Sequence, residues 1–180
     1  MNMIHDQIVN LPVIETERLV LRPLRRSDAG LLAMYAGDKR VAQATRALPH
    51  PLPPGAVDAY IARAQSAKRS EDIWVMDGSA SGLPDVTGVI WLTVMDRGQS
   101  EVTYWVAPAF WNTGLASEAV KALVAANPHG DKTYFAEVFQ DNPASARVLT
   151  NTGFEYLGDA EAFSVARDAT VRTWTYSRKL

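Results

Sequence analysis

The chain has no cysteine among its 180 residues. That absence excludes structural disulfides, thiolate metal sites and a cysteine nucleophile. It also fits a reducing compartment, so a cytoplasmic location is expected. No apolar run approaches the ~18 residues that a membrane-spanning helix needs, and no membrane partner is expected. Residues 1–19 lack a basic segment followed by a long apolar stretch, so no signal peptide is expected. A large excess of either charge is also lacking. The 18 Lys and Arg against 20 Asp and Glu leave a net −2, which gives no electrostatic footprint for nucleic acid. The histidines His5, His50 and His129 are scattered and form no metal-ligand pattern, so no metal is expected. Neither Gly-x-x-x-x-Gly-Lys-Ser/Thr nor Gly-x-Gly-x-x-Gly occurs, which counts against a P-loop or dinucleotide-binding enzyme.

What remains is an ordinary globular composition, 47% hydrophobic, in a length that suits one domain. That domain is expected over residues 13–180, after a loose leader at 1–12. Residues 14–24 alternate apolar and polar and read as a first strand. Ser27 is placed to cap a helix through Tyr35, and Gly37 ends it. A short helix over 38–45 follows. The segment LPHPLPPG at 48–55 is too rich in proline for helix or central strand. Val57, Tyr60, Ile61, Ala64 and Ala67 form the apolar stripe of a helix over 56–68. Strands are expected at 72–77, 85–95 and 100–106, with Gly88 a candidate bulge and Arg97-Gly98 a hairpin turn. A helix over 115–126 and a strand over 133–140 come next. Asn142 as N-cap and Pro143 at the first position open a helix that Gly153 closes. Two strands around 167–169 finish the chain. This order gives a mixed sheet with helices on both faces.

One stretch carries chemistry. YWVAPAFWNTGLASEA, residues 104–119, reads as a strand, a turn at Pro108, a small-residue loop and a helix. Gly114 and Ala116 let the backbone approach a ligand closely. The helix points its free N–H groups and positive dipole end back at the loop, an arrangement that binds pyrophosphate.

The element order, taken with two signatures, resembles the GNAT superfamily of acetyl-CoA-dependent N-acetyltransferases, in particular the branch containing the ribosomal-protein-alanine N-acetyltransferases. The first signature is EVTYWVAPAFWNTGLASEA at 101–119, and the second is FQDNPASARVLTNTGFEYLG at 139–158. The resemblance runs from Thr16 to Trp174. It implies an α/β (α+β) fold with a mixed, mostly antiparallel central sheet of about seven strands and helices on both faces. It also implies acetyl-CoA as acyl donor and a primary amine acceptor, either a protein N-terminus or a small molecule. With no cysteine, direct attack in a ternary complex is the natural route. A monomer and a homodimer both fit. The family's phosphate loop carries Arg or Gln and an extra Gly where this chain has Trp111, Asn112 and Thr113. The backbone donors of Gly114, Leu115, Ala116 and Ser117 remain, but the loop has no side-chain cation, and weaker cofactor affinity follows. The altered loop leaves room for a second reading, a catalytically silent acyl-CoA-binding or regulatory module.

The amine must lose a proton, and a lysine-type amine has a reference pKa near ~10.4, so a general base or a water relay is needed. Glu101 is the first candidate. It shares a strand face with Thr103 and Trp105, while Val102, Tyr104 and Val106 share the other. Pairing with Arg97 is its structural alternative, and Glu137 is a second candidate base. Ser145, in the first turn of the Asn142 helix, is the candidate acid for the departing CoA thiolate by resemblance. Asn142 adds, by resemblance, a contact to the pantetheine arm. Trp105 and Val106 end the strand beside the loop, where their backbone can pair with pantetheine amides as an added strand. The Ser117 hydroxyl can reach phosphate. Arg46 and His50 fall where the family forms its acceptor cleft. Trp74, Trp91 and Trp174 are expected to pack.

Overall fold

A computed structural model describes residues 10–180. His5 and most of the expected leader lie outside the described residues. The end of that leader is held: the Pro12 carbonyl accepts the Trp74 indole N–H at 3.0 Å.

Eight strands form one sheet in the order β1-β2-β3-β4-β5-β6-β8-β7. They are β1 (Ile14–Glu15), β2 (Val20–Pro23), β3 (Glu71–Asp77), β4 (Gly88–Met95), β5 (Gln99–Val106), β6 (Thr133–Phe139), β7 (Glu155–Ser164) and β8 (Ala169–Lys179). The helices are α1 (Ala29–Ala36), α2 (Lys39–Ala44), α3 (Ala56–Ala64), α4 (Leu115–Ala126) and α5 (Pro143–Asn151). Every neighbouring pair of strands is antiparallel except β5 and β6.

The mostly antiparallel sheet is as expected, with eight strands where about seven were expected, because the first strand is broken. Thr16 closes a tight turn: its N–H donates to the Leu19 carbonyl at 2.8 Å and its Oγ1 accepts the Leu19 N–H at 2.9 Å. A threonine hydroxyl competing for backbone in this way converts one extended run into the β1–β2 hairpin. Ser27 does not cap α1. It sits in a 3-10 turn, Arg26–Asp28, where the buried Asp28 carboxylate accepts the Arg25 N–H at 2.8 Å. Asp28 is drawn inward by Arg22, whose guanidinium bridges Asp28 at 2.8 Å and Asp77 at 2.7 Å. The helix expected over 56–68 stops at Ala64, because Ser66 then turns the chain by accepting N–H groups from Lys68 and Arg69. Gly88 is no bulge. It pairs in register with Val106, and a Cβ there would lie 2.4 Å from the Trp105 carbonyl oxygen. The Arg97-Gly98 turn is as expected, with φ of 62° and 70°.

Strand alternation sends side chains to two separate cores. Leu21, Trp74, Met76, Ile90 and Leu92 pack with Leu115, Leu123 and Leu149 of α4 and α5. Ile73, Val75, Val89 and Trp105 pack with Leu32, Val41 and Ile61 of α1, α2 and α3. Each fully buried Leu, Ile or Val contributes about 1.5–3 kcal/mol. The sheet is thus clamped from both faces, and its one parallel seam, β5–β6, lies just past its centre.

Candidate active site

The β5–β6 seam is paired for only three residues: Gln99 with Thr133, Ser100 with Tyr134 and Glu101 with Phe135. Beyond Glu101 the strands part. β4 holds the outer edge of β5 as far as Val106, and β8 holds the outer edge of β6 as far as Phe139. A slot opens between their inner edges. The Ala107 N–H donates to the Thr87 carbonyl at 2.8 Å. Antiparallel alternation from that bond gives the peptide groups of Trp105 and Thr103 to β4 and turns those of Tyr104 and Val106 toward the slot. Trp105 itself is a core residue, 7% exposed. The Trp105 peptide group, expected to serve an added strand, is thus turned to β4, whereas those of Tyr104 and Val106 face the slot. The Val106 carbonyl is already engaged, accepting the Trp111 indole N–H at 2.7 Å.

The loop after β5 leads into α4 as the sequence suggests. A 3-10 turn, Pro108–Phe110, is followed by extended Trp111, Asn112 at φ 62° and Gly114 at φ 82°. Gly114 is the N-cap of α4, and its carbonyl accepts the Glu118 N–H at 3.0 Å, the first bond of the helix. Helix geometry leaves the N–H groups of Leu115, Ala116 and Ser117 without intrahelical partners. The Leu115 side chain is buried in the core, whereas Ala116 and Ser117 are half-buried. The Thr113 hydroxyl donates to the Phe110 carbonyl and so fixes the loop rather than facing a ligand.

Two cations from elsewhere in the chain lie against the loop. Arg18, in the β1–β2 turn, donates from Nη1 to the Thr113 carbonyl at 2.9 Å and from Nε to Glu118 at 2.9 Å. Its side chain stays 38% exposed beside the loop. Arg40 lies over the Trp111 ring at 5.7 Å. Sequence spacing gave no hint of either contact.

On the α5 side of the slot, the Asn142 side chain accepts the Ser145 N–H at 3.4 Å, as an N-cap does. The Ser145 hydroxyl donates to the Tyr104 hydroxyl at 3.0 Å, and Tyr104 donates to the Ser145 carbonyl at 2.9 Å. Burial pushes the Tyr104 phenol well above its usual pKa, so it remains a donor. Tyr104 was missed at the level of sequence, where it reads as one more aromatic on a strand. Thr103, Tyr104, Val138, Asn142 and Ser145 line the slot together.

On the other side lies Glu101, with Arg46 rather than Arg97. The Arg46 guanidinium bonds Glu101 through Nη2 and Glu137 through Nη1, the latter at 3.2 Å. Thr173 donates to the second oxygen of Glu137 at 3.1 Å. The two candidate bases are therefore joined by one cation, not set among apolar residues. His50 is exposed and precedes a cis proline, Pro51. His129, in the turn between α4 and β6, contacts Asp72 at 2.6 Å and Ser100 at 3.3 Å.

A slot between parting parallel strands, with a loop of free N–H groups at its end, has the shape to take an extended phosphorylated acyl carrier. The acetyltransferase (GNAT) domain family matches residues 18–155, and the chain belongs to that family. It is an acetyl-CoA-dependent acyltransferase. It is similar to an uncharacterized N-acetyltransferase, YoaA, of Bacillus subtilis (strain 168), at 25% identity over 92% of this chain and 96% of the relative. The fold matches that of the microcin C7 self immunity acetyltransferase MccE in complex with acetyl-CoA and AMP, with a TM-score of 0.78, 13% identity, and coverage of 91% of this chain and 93% of the other. It also matches RimL, a ribosomal L7/L12 alpha-N-protein acetyltransferase in complex with coenzyme A, with a TM-score of 0.77, 16% identity, and coverage of 94% and 98%. Among the described residues, no helix is long and apolar enough to cross a membrane.

Proposed function

We propose that this chain, working in the cytoplasm as one domain over residues 13–180, transfers the acetyl group of acetyl-CoA directly to a primary amine, a protein N-terminus or a small molecule. The observation that carries this reading is the slot itself: two strand edges with peptide groups free to pair, ending at an anion-ready helix N-terminus. The pantetheine amides pair with the peptide groups of Tyr104 and with the N–H of Val106. The pyrophosphate meets the N–H groups of Leu115, Ala116 and Ser117, with Asn112 and Gly114 shaping the loop and Arg18 beside it. Asn142 flanks the pantetheine arm.

The acceptor enters as an ammonium and gives one proton to the Glu101 carboxylate. The freed lone pair attacks the thioester carbonyl carbon, and the C–S bond breaks. The thiolate takes a proton from the Ser145 hydroxyl, which Tyr104 supports, and the amide nitrogen returns one proton to Ser145. The products are the acetylated amine, CoA thiol and the one proton held by Glu101, which passes to water.

Thermal unfolding with acetyl-CoA, ATP and NAD tests this proposal. A ligand at 100 times its dissociation constant adds about 2.7 kcal/mol. A rise in midpoint with acetyl-CoA alone is expected. No rise with acetyl-CoA, or an equal rise with ATP, overturns the reading. A rise without turnover of any amine would replace it with a silent acyl-CoA-binding module.

A further inference from the structure

Arg46 sets a chemical problem. A carboxylate whose lone pairs are engaged by a guanidinium is poorly placed to take a proton from anything else. Yet Arg46 engages both Glu101 and Glu137, which lie on β5 and β6 on the face that packs toward α1, α2 and α3. Those strands pair for the last time at Glu101 and Phe135, so the guanidinium crosses the gap where the slot begins. Its main chain is fixed. The Arg46 carbonyl accepts the Val165 N–H at 3.0 Å, and the neighbouring Thr45 hydroxyl donates to the Ala42 carbonyl at 3.0 Å. Its side chain is 40% exposed, against 23% for Glu101 and 14% for Glu137. The guanidinium is thus the side of this cluster nearest to water, and the carboxylates are the more enclosed side.

We infer that Arg46 is an internal stand-in for the acceptor, holding between Glu101 and Glu137 the place that the acceptor's ammonium takes. The acceptor is accordingly an aliphatic amine, cationic on entry, and not an arylamine. The exchange is one cation for another. An ammonium carries three donors, enough to bond both carboxylates at once. A neutral arylamine would displace the guanidinium and leave two half-buried carboxylates facing each other uncompensated, which is unfavourable. Once Arg46 has swung out, Glu101 is free to accept a proton. The catalytic meaning of this exchange rests on the acetyl-transfer reading above. The exchange itself is a binding property, measurable without acetyl-CoA.

The probe is n-propylammonium, titrated by NMR into the wild-type chain and Arg46→Gln, each with and without CoA. Aniline, neutral at the same pH, is the control. Arg46→Gln is expected to bind n-propylammonium about tenfold more tightly than wild type, because the tethered competitor is gone. Methylguanidinium should bind Arg46→Gln and displace the probe. Aniline should bind both proteins equally weakly. Arg46→Lys, which keeps a tethered cation, should resemble wild type and serves as the folded reference. Joint replacement of Glu101 and Glu137 by Gln should abolish probe binding in both backgrounds. Equal or weaker binding by Arg46→Gln overturns the inference, since Arg46 would then be a partner of the acceptor. CoA binding without the exchange leaves the acetyl-transfer reading standing and removes this one. The exchange without CoA binding does the reverse.

Discussion

The seam between β5 and β6 has two ends built to opposite purposes. From Gln99 to Glu101 it is zipped to β6, and beneath it a dense polar cluster closes the gap. Ser100, fully buried, donates to Asp131 at 2.6 Å and contacts His129, which in turn contacts Asp72. From Val102 to Val106 the same strand faces an open slot, and its polar neighbours are few and partly exposed. One end satisfies its polar groups internally and contributes stability. The other leaves peptide groups and helix N–H groups for something outside the chain. A buried polar group left unsatisfied costs about 1–3 kcal/mol, so an open strand edge persists only where water or a ligand reaches it. The comparison locates binding by where self-satisfaction stops.

The largest effect should come at the boundary between the two ends. Glu101→Gln is expected to lower turnover by about 10²–10⁴ while leaving the CoA dissociation constant unchanged. Steady-state kinetics beside calorimetry separates the two, and a parallel loss of both would make Glu101 structural. Next, Asp131→Ala at the zipped end strips Ser100 of its acceptor and should cost about 1–3 kcal/mol in denaturant unfolding, with CoA affinity kept. If CoA affinity fell as far as stability, the two ends would not be independent. Smaller again, Ser145→Ala and Tyr104→Phe should each lower turnover by about tenfold, because a thiol with a reference pKa near ~8.5 already leaves as a tolerable thiolate. A loss as large as that of Glu101→Gln would move the main proton transfer to the α5 side.

The smallest effect is pH-dependent and belongs to the base of the open end. Burial alone would push the Glu118 carboxyl up, but bonds from Thr16 and Arg18 outweigh it and hold it below the usual carboxylate range. Its folded pKa lies below its unfolded one, so its stabilisation is full above the reference value of 4.5 and is lost as pH falls through that value toward the lower folded one. Urea midpoints for Glu118→Gln should therefore trail wild type at pH 7 and converge on it at acidic pH. A constant gap at both pH values would assign the effect to packing instead.

The parts of the site written in contiguous residues were legible in the sequence. Pro108, Gly114 and the Asn142-Pro143 pair each fix local backbone, so the loop and both helix starts could be read directly. Strand alternation likewise put Glu101 and Trp105 on one face. What escaped were partnerships between distant side chains. Arg18 is 95 residues from Thr113, and Arg46 is 55 residues from Glu101 and 91 from Glu137. No local period encodes such contacts, and they depend on which strands become neighbours. The β1–β2 hairpin escaped for a related reason. Alternation continues through residues 14–24, and only the Thr16 hydroxyl decides that the chain turns.

Amide hydrogen exchange with and without acetyl-CoA tests the central claim most directly. Acetyl-CoA should slow exchange at Tyr104 and Val106 and at Leu115, Ala116 and Ser117, with Ser100 and Glu101 unchanged because their pairing is already complete. Slowing confined to the zipped end, or to neither end while acetyl-CoA is bound, would contradict it.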